Sequence, residues 1–96
     1  MMAAMSSDPT LAALRRKIDG VDAAIITALA KRKKLELRVG AYKRKKGMKL
    51  LDTKRRKEML AVRVRQAKKK GVQPDLAQRL FSLIHQHSLS TQKGRA

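Results

Sequence analysis

Leu11, Ile18, Ile25, Leu29 and Val39 recur at helical spacing, and Arg15, Asp22, Arg32, Glu36 and Lys43 fall on the same stripe. At 100° per residue all ten lie within an arc of about 120°. Ahead of them, Ser7 or Asp8 followed by Pro9 is a helix start. The side-chain oxygen caps free backbone N–H groups, and the proline sits where its missing N–H costs nothing. No further proline comes before Lys46, so the pattern predicts a first helix of about 38 residues, roughly 57 Å long. A compact domain of this chain length is only about 32 Å across. Such a helix outruns the cover its own chain supplies, which predicts pairing with a second copy.

Gly47 ends this helix, and residues 48–51 connect it to Asp52, a good N-cap for a second helix that runs to about Lys70. Gly71 stops the second helix. Gln73, Pro74 and Asp75 open a third, which carries Leu76, Leu80, Phe81 and Ile84, and then Ser88 and Gln92, before Gly94. The prediction is an all-α chain of one long and two shorter helices, with no internal repeat. Residues 1–8 are expected to be a disordered tail, 9–93 the domain and 94–96 a frayed C-terminus.

Composition narrows the chemistry. The apolar fraction of 43% comes almost wholly from aliphatic residues and Met, with Tyr42 and Phe81 the only aromatics, which suits helices better than strands. With no cysteine there is no disulfide framework and no zinc ribbon or finger. His85 and His87 are two apart on a helix and point in different directions, so no metal pair is expected. No apolar run approaches the roughly 18 residues that span a bilayer, and the opening residues lack the charged start of a secretory signal. A soluble, cytoplasmic protein is the expectation, with no membrane partner.

Twenty-five Lys and Arg against seven Asp and Glu give a formal charge of +18, which draws anions to the surface. Nucleic acid, acidic lipid and small di-anionic metabolites all fit that charge. Against a specific nucleic-acid binder, aromatics for base stacking are nearly absent and the basic residues are spread around all three helices. Weak, salt-sensitive sticking to polyanions is expected instead.

The informative residues are the polar ones on apolar stripes. Arg15, Arg32 and Lys43 lie on the packed side of the first helix, where a cation needs an anion beside it. Asp22 and Glu36 supply some pairing if the stripe is an ion-pair ladder, and snorkelling at its edge is the other plain reading. Ser88 and Gln92 continue the steps of four set by Leu80 and Ile84, so they either need polar partners or mark where the helix emerges into solvent. Asp52 reads first as a cap, with Arg55 and Arg56 on a solvated face.

Taken together, LAALRRKID at 11–19, AKRKKL at 30–35, VGAYK at 39–43, DTKR at 52–55 and LFSLIHQHSLSTQ at 80–92 resemble the all-helical, type II chorismate mutases. The resemblance runs without gaps over roughly residues 10–93. It implies an intertwined six-helix homodimer with two active sites, each built from both chains, that rearranges chorismate to prephenate without a cofactor. By position, Arg15 matches the arginine that reaches into the partner's site, and Arg32 and Lys43 match the cations of the subunit's own first helix. The resemblance gives Arg15 and Arg32 the two substrate carboxylates, and Lys43 a carboxylate and the ether oxygen. Asp52 lies at the substrate ring through its backbone, Arg55 supports that wall, Ser88 touches a carboxylate, and Gln92 donates to the ether oxygen.

One departure stands out. The family usually has Asp-x-x-Arg-Glu in the second helix, the glutamate accepting from the substrate hydroxyl, whereas this chain has Arg56 there. Glu58 lies about 200° further round the helix and cannot take over without a local shift. The substrate hydroxyl is then recognised otherwise, or the chain is a slower, inactive or laboratory-selected variant. An isochorismate pyruvate lyase on the same fold shares the long-helix cations, but Ser88 and Gln92 together with Asp52 favour the mutase.

Overall fold

The computed structural model describes residues 8–94. Three helices follow one another: α1 (Pro9–Lys45), α2 (Thr53–Lys69) and α3 (Pro74–Gln92). No strand occurs among the described residues. Of the two expected tails, residues 1–7 and 95–96 lie outside the described residues, whereas Asp8 and Gly94 belong to helix ends.

The helix starts follow from capping. The Asp8 carboxylate accepts a hydrogen bond from the backbone N–H of Leu11 at 2.9 Å. Asp52 does the same for the N–H of Arg55 at 3.0 Å, from an extended backbone. At α3 the first turn has Pro74 and no side-chain cap bond from Gln73. Asp75 there sits favourably against the helix dipole. Its ion pair with Arg79, at 3.1 Å, is largely solvated and adds little.

The helix ends are built alike. Gly47 and Gly71 take positive φ, a conformation that strains a residue with a Cβ. After α1, Met48 N–H donates to the Lys43 carbonyl at 2.8 Å and Gly47 N–H to that of Arg44 at 3.3 Å. After α2, Val72 donates to Ala67 at 2.8 Å and Gly71 to Lys68 at 3.2 Å. Each is a Schellman turn that satisfies carbonyls the helix leaves open and reverses the chain. The lysines at the two ends, Lys43 and Lys45 in α1 and Lys68 and Lys69 in α2, oppose the helix dipole favourably.

The chain divides into two units between Arg32 and Lys33. The described part of the first is helical from Pro9, and its large apolar side chains are exposed: Leu14, Ile18, Val21, Ile25, Ile26 and Leu29 all have at least two-fifths of their surface open. In the second unit α2 and α3 pack along each other. Ala67 and Ala77 are buried, Leu60, Val64, Phe81 and Ile84 are half-buried, and the Arg63 guanidinium lies 5.9 Å from the centre of the Phe81 ring. Small residues here let the two helices close together. Leu76, Leu80 and Leu83 stay exposed on α3. Both units therefore carry exposed apolar surface. No helix among the described residues is long and apolar enough to cross a membrane.

Candidate active site

In the second unit a polar cluster forms where the C-terminal part of α1 meets the C-terminal turns of α3. Lys43 is half-buried there. Its ammonium donates to the Leu50 carbonyl at 2.8 Å and to Gln92 Oε1 at 3.0 Å. The turn at Gly47 supplies the first of these partners by folding residues 48–50 back over the end of α1. An ammonium has three donors, and described residues use two of them.

Lys43 fixes the orientation of the Gln92 amide, because a cation that can only donate must face the amide oxygen. Gln92 Nε2 then points the other way and donates to Ser88 Oγ at 3.1 Å, one helical turn back on α3. The Nε2 group has a second N–H beyond the one that Ser88 accepts. Ser88 is buried, at 7% of its surface, so it does not mark where α3 emerges into solvent. Thr91 beside it is also buried and donates to the His87 carbonyl at 3.1 Å. Arg44 donates to the backbone carbonyl of Gln92.

Other residues singled out in the sequence are placed differently. The Asp52 carboxylate is engaged in capping α2, and Arg55, whose N–H it binds, is exposed. Arg56 is exposed and borders an open groove of about 550 Å³ along α3, beside Ser82 and Gln86. Lys43, Ser88 and Gln92 do not line that groove. Arg15 and Arg32 belong to the first unit, Arg15 exposed and Arg32 half-buried. Seventeen residues of helix separate them, about 26 Å along the axis. A small di-acid cannot bridge two side chains so far apart on one chain. Among the described residues no group of His, Asp or Glu is arranged to hold a metal ion.

Periodicity missed two members of the cluster. The Leu50 carbonyl is a main-chain group with no sequence signal, and Arg44 stands in a run of basic residues, 43–46, whose members periodicity does not tell apart. What the cluster offers is a cation linked through an amide to a hydroxyl, donors of the kind that suit an anion or an oxygen that gains negative charge.

Comparison with known proteins gives this arrangement a context. The chain is 35% identical over 85 residues to the T-protein of Enterobacter agglomerans, covering 88% of this chain and 23% of that protein. It is 36% identical over 89 residues to a bifunctional chorismate mutase/prephenate dehydratase of Buchnera aphidicola from Schizaphis graminum, and 30% identical to the protein of the same name from Buchnera aphidicola of Acyrthosiphon pisum. The chain spans 23% of the length of each of these relatives. The family model described as chorismate mutase type II matches residues 14–93, which takes in the Lys43, Ser88 and Gln92 cluster, Arg15 and Arg32, most of α1 and all of α2 and α3, and the chain belongs to that family.

Proposed function

We propose that this protein rearranges chorismate to prephenate as a homodimer whose two active sites each draw on both chains. The observation that carries this reading is the linkage of Lys43, Gln92 and Ser88, which gathers a cation, an amide and a hydroxyl in one cluster. In the rearrangement the ether C–O bond of chorismate breaks while a C–C bond forms in the same molecule, so no proton, electron or group has to leave. The site must hold a compact conformer and stabilise charge on the departing oxygen. The third donor of Lys43 and the second N–H of Gln92 suit that oxygen. Arg15 and Arg32 take the carboxylates, Ser88 assists at a carboxylate, and the backbone at Asp52, backed by Arg55, forms the wall against the ring. No cofactor is required by this chemistry. The net charge of +18 favours approach of the di-anionic substrate.

The spacing of Arg15 and Arg32 supports the shared site, since both can serve one substrate only if they come from different chains. The exposed apolar stripe of the first unit supports pairing of the long helices. The test is an assay of purified protein for loss of chorismate absorbance, with prephenate identified as product, and light scattering in the same buffer. A mass near twice 10.8 kDa is expected. Release of pyruvate in place of prephenate rejects the reaction, and an active monomer rejects the dimer.

Arg56 belongs to the same proposal as the residue standing where the family has a hydrogen-bond acceptor. Arg56→Glu is expected to raise kcat/KM at least about fivefold by returning one hydrogen bond to the substrate hydroxyl. An unchanged or lower rate means that neighbours accommodate Arg56 or that residue 56 does not face the substrate.

A further inference from the structure

α1 meets the last turn of α3 at Gly40, one of the few buried positions among the described residues. A Cβ built on Gly40 stands 2.7 Å from the Gln92 Cα and 2.8 Å from its carbonyl carbon. These are backbone atoms, so any side chain at position 40 must push the end of α3 away. Four residues on, Arg44 donates to the Gln92 carbonyl. That carbonyl lies at a helix end, where backbone oxygens have no partner within the helix.

Gly40, Lys43 and Arg44 are spaced i, i+3 and i+4, on one face of α1. Each handles a different part of the same residue. Gly40 makes room for the Gln92 backbone, Arg44 binds its carbonyl, and Lys43 binds its side-chain oxygen at 3.0 Å.

We propose that Gly40 and Arg44 are positioning residues that seat the terminal turn of α3 so that the Gln92 amide is held between Lys43 and Ser88. Neither touches the substrate. A glutamine on the last turn of a helix is otherwise free to fray with that turn, and its second N–H then has no fixed direction. The kinetic part of this inference rests on the chorismate mutase reading, whereas the orientation of the Gln92 amide does not.

Gly40→Ala is the first test, with a fall in kcat of about 10- to 100-fold expected from misplacing a donor by an ångström or so. In a Gln92→Ala background the same change should cost less than about threefold, because the side chain being positioned is gone. Equal losses in the two backgrounds overturn the proposal and leave Gly40 a packing residue. Should Gly40→Ala fail to fold, Arg44→Met removes the carbonyl bond without adding bulk and should lower kcat several-fold, with Arg44→Lys recovering part of the loss.

A second readout needs no turnover. The two side-chain amide protons of Gln92, assigned by nitrogen-15 NMR, should be dispersed in the wild type and move toward the positions of a free glutamine in Gly40→Ala and Arg44→Met. Unmoved signals overturn the proposal. Absence of turnover by the wild-type chain rejects the functional reading alone, and the amide signals then decide the positioning.

Discussion

Lys43→Met is expected to lower kcat by about 10²- to 10³-fold while leaving the helical fold in place. The methionine keeps most of the aliphatic stem and removes the ammonium, so the packing at the end of α1 changes little. What is lost is a cation held by two hydrogen bonds, at 2.8 and 3.0 Å, which the proposed reaction sets beside the ether oxygen. Removing one preorganised donor from such a site commonly costs this much. Gln92 is affected as well, because without Lys43 its amide is free to turn over and present the wrong atom to Ser88. The measurement is kcat for chorismate together with a thermal melt by circular dichroism. A fall of less than about threefold, with the melt unchanged, would remove Lys43 from the chemistry.

The sequence showed the helices almost to the residue, because their ends rest on local rules. Asp8 and Asp52 cap as their position before a helical run predicts, and Gly47 and Gly71 terminate as glycines just past a run do. The two helix ends expected at Lys46 and Lys70 come one residue earlier, since those residues are already part of the Schellman turns. Ser88 and Gln92 were visible as an anomaly, polar residues continuing an apolar row, but that row could not say what they pair with. The pairing of Lys43 with Gln92 joins residues 49 apart in the chain, and no periodic pattern reports a contact of that range.

Gly40 shows the limit most sharply. Within a helical run it reads as a residue that costs about 1 kcal/mol relative to alanine and gains nothing. Its value emerges only from the approach of the α3 backbone, which local sequence does not encode. Arg44 was hidden for the opposite reason. It stands in a run of four basic residues whose obvious explanation, favourable charge at a helix C-terminus, is correct for the run and leaves out the one bond that distinguishes Arg44 from its neighbours.

Mixing Arg15→Ala chains with Arg32→Ala chains should restore activity that each variant lacks alone. In the proposed dimer either variant loses a carboxylate ligand from both sites, and a charge-assisted pair to a substrate carboxylate is worth enough that each should be reduced by at least about tenfold. In a mixed dimer one site takes Arg15 from the Arg32→Ala chain and Arg32 from the Arg15→Ala chain, so it is intact, while the other site lacks both. Random exchange makes about half of the dimers mixed, each with one good site, for a recovery near a quarter of wild-type activity. The expectation follows from the roughly 26 Å of helix between the two residues, which separates them too far for one small di-acid on one chain. Exchange is verified by mass spectrometry of differently tagged chains before the assay. No recovery after complete exchange means that the two arginines serve one chain's site, or none, and the shared site is then wrong even if the protein turns over chorismate as a dimer.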